Sequence, residues 1–259
     1  MSEQAEGVPG VGRVVVIIPT YNEAENVPLI TARVREAVPE VDVLIADDNS
    51  PDGTGRIADE LAAADPQVHV MHRAGKEGLG AAYIAGFGWA RERGYDAVVQ
   101  MDADGSHAPE DLPRLLHALR DCDAVIGSRY VRGGKVVNWP LHREVLSRGG
   151  NIYVRTVLGM KVKDATGGYR AYRMTVLDKE ELDSIQSQGY SYQVELTWRI
   201  HRNGFAITEV PITFVERQHG ASKMSGSIVK EALWRVTMWG AKSRANSLRH
   251  ALKPKSTWP

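Results

Sequence analysis

The run Val14-Val15-Val16-Ile17-Ile18-Pro19-Thr20-Tyr21-Asn22-Glu23 decides the fold. Five consecutive β-branched apolar residues leave no polar face, as a strand covered on both sides of a parallel sheet requires. The residues after the strand are equally informative. A dinucleotide-binding fold would place G-x-G-x-x-G here, and a nucleotide triphosphatase G-x-x-x-x-G-K-[ST]; the chain carries neither. In open α/β sheets, ligands sit beyond the carboxyl ends of strands. Tyr21 and Glu23 are therefore placed to meet one by ring contact and hydrogen bonding.

Outward from this run, short apolar stretches at 41–46, 68–71, 97–101 and 124–126 read as further strands. Helical patterns fall between them. Asn22 followed by Glu25 reads as a cap and capping-box partner for a helix over 27–38. Ser50-Pro51-Asp52 places a cap, a first-turn proline and an acid ahead of 54–64, and Pro109-Glu110-Asp111 does the same for a helix ending near Leu119. Strand–helix alternation predicts an α/β fold with a doubly wound, mostly parallel sheet flanked by helices. The second half is less regular: a Gly-rich loop over 132–142, helices over 143–158 and 192–203, and a strand within 205–215 whose Pro211 favours an edge or bulge. From Ser227 onward Val229, Ala232, Leu233, Val236, Trp239 and Gly240 share one helical face, expected to pack on the domain, with membrane insertion as the alternative.

The 259 residues carry no formal net charge at neutral pH, which gives no whole-molecule argument for nucleic acid as a partner. The distribution is uneven, because no acid follows Glu231 while Arg235, Lys242, Arg244, Arg249, Lys253 and Lys255 do. A basic tail suits contact with an anionic surface. The single cysteine, Cys122, makes no internal disulfide and reads as a small packed residue. Residues 1–12 lack the apolar run of a signal peptide and are expected to fray. No stretch approaches the roughly 18 apolar residues of a spanning helix.

The strongest chemical signal closes the fourth strand: Gln100-Met101-Asp102-Ala103-Asp104-Gly105-Ser106-His107. Two carboxylates at i and i+2 after an apolar strand raise one another's pKa if unpaired. A hard divalent cation relieves this, taking carboxylate oxygens while leaving positions for a diphosphate, whose departure it then assists. Ser106 or His107 is available to complete such a site. The plainer reading of D-x-D is a turn; its place among other polar strand ends favours the metal. At the second strand end, Asp52 reads as a helix cap, and Asp48 as an acceptor for a base or ribose hydroxyl. Basic residues gather later: Arg129 after the fifth strand, Arg143 at the next helix, and Arg217 and Lys223 in a Gly/Ser-bearing loop. Arg offers bidentate phosphate contacts and Lys a point charge, which suits an anionic donor and an anionic acceptor. In Asp164-Ala165-Thr166-Gly167-Gly168-Tyr169-Arg170, the paired glycines bring backbone close to a ligand or form a turn.

In this order the motifs resemble family 2 glycosyltransferases, which have the GT-A fold. Pro19-Thr20-Tyr21-Asn22-Glu23, Asp47-Asp48, Ser50 to Thr54 and Asp102-Ala103-Asp104 with His107 carry that likeness. Gly127-Ser128-Arg129-Tyr130, Gly167-Gly168-Tyr169-Arg170 and the 216–223 stretch narrow it to the polyprenol-phosphate (dolichol-phosphate) mannosyltransferases. The resemblance spans about residues 13–226, expected as a catalytic domain between a flexible 1–12 segment and a helix with basic tail over 227–259. It implies transfer of mannose from GDP-mannose to a polyprenyl monophosphate with inversion. It further implies that Pro19, Tyr21, Glu23, Ala46 and Asp48 hold guanosine and that Asp102, Ala103 and Asp104 lie against the donor. Asp102, Asp104 and position 106 would arrange Mg²⁺ or Mn²⁺. Arg217 and Lys223 would clamp the donor phosphates, and Arg129, Arg143 and Ser147 would receive the acceptor phosphate. Relatives carry Gln where this chain has Ser106. The chain is expected to be cytoplasmic and peripheral at the cytoplasmic membrane face, held by the tail, the Trp139 loop or a membrane-bound partner protein. Rival readings are transfer from UDP-glucose or a non-catalytic nucleotide-sugar module. No Q-x-x-R-W motif of processive synthases occurs.

Overall fold

A computed structural model of the chain describes residues 7–180, 182–185, 190–216 and 233–244. Its centre is a seven-stranded sheet in the order β3-β2-β1-β4-β7-β5-β8. The strands are β1 (Val14–Thr20), β2 (Asp42–Asp47), β3 (Val68–His72), β4 (Ala97–Gln100), β5 (Ala124–Ser128), β7 (Arg170–Arg173) and β8 (Ile207–Pro211). All neighbours run parallel except β7, which is antiparallel to both β4 and β5. A short parallel pair, β6 (Lys135–Val137) with β9 (Thr213–Val215), stands apart. The Val215 N–H donates to the Ser106 carbonyl at 3.3 Å, tying that pair to the loop after β4. Pro211 is the last residue of an edge strand, where its missing N–H costs no ladder bond.

The apolar run of β1 is divided between two cores, as a doubly covered strand must be. Val14, Val16 and Ile18 face one layer, with β2, α1 (Asn26–Ala37), α2 (Thr54–Ala64) and α4 (Leu112–Leu119). Val15 and Ile17 face the other, with α3 (Leu79–Glu92), α6 (Met174–Leu177) and α7 (Tyr190–Arg202). A third cluster joins α5 (Leu141–Leu158), α7 and a last helix, α8, spanning 233–244. In α8, Val236 is buried, Trp239 stacks on Trp198 at 5.8 Å, and Gly240 lies against Val157. The packing expected of that stripe therefore holds at these positions, although Leu233 is exposed; Val229 and Ala232 lie outside the described residues.

Two local expectations change here, and one helix is added. Asn22 is no helix cap: it turns the chain at φ 60°, and α1 begins only at Asn26, whose Nδ2 donates to Glu23. Residues 7–12 do not fray, since the Val8 and Gly12 backbones pair and Val8 and Val11 enter the core. Helix α3, without a clear signal in the sequence, is rich in glycine, and close packing accounts for two of its glycines. A Cβ on Gly86 would lie 2.8 Å from Ile17 Cγ2, and one on Gly80 3.0 Å from the Tyr192 ring. Gly86→Ala should thus lower stability by about 1–3 kcal/mol in urea unfolding, although alanine is the better helix former by about 1 kcal/mol.

Candidate active site

Between β1 and β4 the strand order reverses: β1 to β3 step one way, and β4 returns to the other side of β1. A crevice at the carboxyl ends of such neighbours is the ligand site of doubly wound sheets. The register brings Pro19 beside Ala46 and Thr20 beside Asp47, while the Met101 N–H donates to the Ile17 carbonyl. Tyr21, Glu23, Asp48 and Asp102 therefore leave neighbouring strands at one rim.

On the β2 side, Asp47 is a fastener. It accepts from the Thr20 hydroxyl at 3.0 Å and from the Ser50 hydroxyl and N–H at 2.6 and 3.0 Å. The cap position of α2 is Gly53 at φ 91°, with no side-chain cap bond, so neither Ser50 nor Asp52 is the cap expected from the sequence; Asp52, one residue earlier, accepts from the Thr54 N–H at 3.0 Å. Asp48 is buried and paired with Arg73, just past β3, whose other terminal nitrogen reaches Glu77. Burial raises the Asp48 pKa, and the Arg73 charge offsets this only in part. The Tyr21 ring carries the Lys76 ammonium on one face, 4.0 Å from its centroid. Glu23 donates its N–H to Thr54 Oγ1 at 3.0 Å.

On the β4 side, the Asp102 and Asp104 carboxylates are partly exposed on one turn, with Gly105 at φ 73°. The Ser106 N–H donates to Asp104 Oδ1 at 3.1 Å, and the Tyr83 hydroxyl to Asp102 Oδ1 at 3.3 Å. His107 is buried beneath them, stacked on Tyr169 at 5.2 Å; its Nδ1 accepts the Asp102 N–H at 3.1 Å. That nitrogen is engaged with its own loop, so His107 is a structural support. A Cβ on Gly168 would stand 3.1 Å from the His107 ring and 3.5 Å from Asp102 Oδ2, which is why this backbone takes glycine there.

These residues fit a hard divalent cation. Two carboxylates supply oxygens, and the buried Ser106 hydroxyl has no hydrogen-bond partner. Among the described residues no three His, Cys, Asp or Glu side chains converge on one point, so much of the shell would come from water and a diphosphate.

Beyond β5, Arg129 departs from the expectation of an arginine presented to a phosphate. It is buried, its Nε and Nη2 donate to Asp164 at 2.7 and 2.6 Å, and Nη2 also reaches Thr166. Burial pushes Asp164 up, but the Arg129 guanidinium outweighs it and holds the carboxyl below its ordinary range. Arg129 also lies 5.4 Å from the centroid of the Trp139 ring, and Arg143 lies over the same ring at 4.3 Å. Arg143 pairs with Glu216 through Nη1, while its Nε and the Trp139 indole nitrogen are buried without partners. Trp139 is partly buried with its indole nitrogen enclosed, while Asn138, Pro140 and Leu141 beside it are exposed. Ser147, one turn along α5, accepts from the Tyr130 hydroxyl at 2.6 Å. Arg129, Arg143 and Ser147 do come together, around Trp139 and Tyr130. Arg217 and Lys223 lie outside the described residues. Arg73 and Tyr83 carry no signal of a site role in the sequence, because each meets a carboxylate distant in the chain; Asp164 and Glu216 lie in stretches the sequence singles out, but their arginine partners do not show there.

The family model described as glycosyl transferase family 2 matches residues 15–180. An undecaprenyl-phosphate mannosyltransferase of Micrococcus luteus is 60% identical over 93% of this chain and 99% of its own. A polyprenol monophosphomannose synthase of Mycolicibacterium smegmatis is 57% identical over 93% and 92%. The chain belongs to glycosyl transferase family 2 and, within it, to the polyprenol-phosphate mannosyltransferases. Among solved structures, a glucosyl-3-phosphoglycerate synthase of Mycobacterium tuberculosis with UDP superposes at TM-score 0.65 and 19% identity, over 88% of this chain and 80% of that one. A mannosyltransferase of Pyrobaculum calidifontis with GDP-mannose and Mn²⁺ does so at 0.56 and 17%, over 98% and 80%. The GT-A fold follows from these.

Asp164→Ala would leave the Arg129 charge buried and uncompensated, a loss of about 3–5 kcal/mol readable in denaturant unfolding. The Asp164 contribution is present above the ordinary carboxylate range, because its folded pKa is lowered. It is lost as pH falls through that lowered value, so the difference between wild type and variant should shrink at strongly acid pH.

Proposed function

We propose that the protein transfers mannose from GDP-mannose to the phosphate of a polyprenyl phosphate, with inversion at the anomeric carbon. The observation that carries this reading is the grouping of the acidic turn after β4 and an arginine–serine cluster on β5 and α5 about one end of the sheet. The first serves a nucleotide diphosphate and the second a separate phosphate.

Pro19, Tyr21, Glu23, Ala46 and Asp48 form the guanosine end, with Arg73 holding Asp48 in place. Asp102, Ala103 and Asp104 face the diphosphate, and Ser106 orients Asp104 through its N–H. A bound Mg²⁺ or Mn²⁺ would neutralise the departing GDP. Arg217 and Lys223 are proposed to close on the donor phosphates. At the acceptor end, Arg143 and Ser147 take the lipid phosphate; the unpartnered Arg143 Nε and Trp139 N–H are donors suited to an anion. Arg129, balanced by Asp164, fixes the floor of that site. No side chain is needed as general base: a phosphate monoester has its second pKa near about 6 and is largely dianionic at neutral pH. Positioning and electrostatic stabilisation then supply the catalysis.

The acceptor's lipid tail calls for a membrane, and no helix among the described residues is long and apolar enough to cross one. Leu141, Val145 and Ile152 share one exposed face of α5, flanked by Arg148 and on the side of the helix opposite Arg143 and Ser147. This face, with the basic tail, is the proposed peripheral contact at the cytoplasmic side; a membrane-bound partner protein would reinforce it.

Incubation with radiolabelled GDP-mannose, polyprenyl phosphate and Mn²⁺ should move label into organic solvent. Chelation should abolish the transfer, and Asp104→Ala should slow it about 100-fold or more. Absence of organic-phase label at every polyprenyl length contradicts the proposal, and label from UDP-glucose alone reassigns the donor.

A further inference from the structure

Tyr83 does more than fill space in the core. It lies on α3 with no exposed surface, and its hydroxyl donates to Asp102 Oδ1 at 3.3 Å. A buried phenol beside a carboxylate is a fixed donor, since the carboxylate oxygen accepts and the hydroxyl supplies the proton.

The surroundings leave this hydroxyl little freedom. The Tyr83 ring is stacked on Tyr192 at 6.4 Å and 10°, and on Phe87 at 6.4 Å and 23°. Gly80, one turn earlier, admits Tyr192 against α3, and Gly86, one turn later, admits Ile17 of β1. Both glycines let α3 approach the sheet and α7 more closely than a side chain would permit. One α3 hydroxyl is thereby delivered to the carboxyl end of β4. Asp102 needs such a support, because it lies beyond the last paired residue of β4 on a turn. Gly168 backs the Oδ2 side of the same carboxylate.

We infer that Tyr83 is a positioning residue that fixes the orientation of Asp102 toward the metal and diphosphate of the donor. The inference rests on the proposed function above. Side chains that hydrogen-bond a metal-binding carboxylate set its orientation, and their loss weakens metal binding by about 10–100-fold. Tyr192 is the natural comparison: its hydroxyl accepts from Gln100 at 3.2 Å rather than meeting Asp102.

The test is Mn²⁺ binding to the full chain with GDP present, followed by electron paramagnetic resonance, alongside steady-state kinetics and thermal unfolding. Tyr83→Phe should weaken Mn²⁺ binding at least 10-fold and raise the KM for GDP-mannose in step, with an unfolding midpoint close to that of Tyr192→Phe. Tyr192→Phe should leave Mn²⁺ affinity unchanged. Mn²⁺ affinity of Tyr83→Phe within twofold of wild type overturns the role of Tyr83 alone, and equal losses in both variants overturn it in favour of general packing. Failure of the wild type to bind Mn²⁺ with GDP overturns this role and the proposed donor together.

Discussion

The parallel pairing of β4 with β1 is the constraint on which the rest of the site depends. Register sets Val14 beside Ala97 and Ile17 beside Gln100, and the ladder continues one bond further through the Met101 N–H. Because side chains alternate along both strands, a slip of one residue would exchange the two cores and turn the acidic turn away from Tyr21 and Asp48. Apolar burial on both faces of β1 therefore fixes where the carboxylates stand. Burial of each such side chain is worth about 1.5–3 kcal/mol, far more than any single polar contact at the rim.

The second half is secured differently, by buried charge. Arg129 with Asp164 is a closed pair, and Arg170 donates to the carbonyls of Gly167, Ala165 and Gln193 from a fully buried position. Those contacts hold the Asp164–Gly168 stretch rigid on one side of Asp102. On the other side, His107 links the acidic turn to Tyr169 and to Phe214, which meets Trp139, which in turn carries Arg143. The acidic turn and the Arg143 cluster, the proposed donor and acceptor ends, are thus built on one continuous packed seam. A buried pair of this kind is a weak source of stability but a strong source of position, which suits chemistry that relies on placing two phosphates.

Elements whose information is local were legible in the sequence. The strands at 14–20, 42–47, 68–72, 97–100 and 124–128 are built on short apolar runs that need no context, whereas the cap of α2 was read wrongly, since Gly53 holds that position and Ser50 is engaged with Asp47. The acidic pair was legible because its position at a strand end is itself the signal. Helix α3 was not, since its close fit against Ile17 and Tyr192, which accounts for Gly86 and Gly80, is a matter of long-range packing. Strand β7 was hidden for a similar reason: Arg170-Ala171-Tyr172-Arg173 has no apolar run, and its place between β4 and β5 is a matter of long-range pairing. The pairing of Arg129 with Asp164 was not legible, because that partner lies 35 residues away. The contacts of Trp139 with Phe214 and Arg143 were hidden for the same reason, since nothing local in the sequence shows them.

The central claim is that the crevice between β1 and β4 is where a metal-bound nucleotide diphosphate is held. The most direct measurement is a crystal structure grown with GDP and Mn²⁺, with anomalous scattering used to locate the metal. The account predicts one Mn²⁺ peak within coordination distance of the Asp102–Asp104 turn, bridging to the diphosphate, with guanosine against Tyr21 and Asp48. A nucleotide seated elsewhere, or a metal that ignores both aspartates, would contradict it.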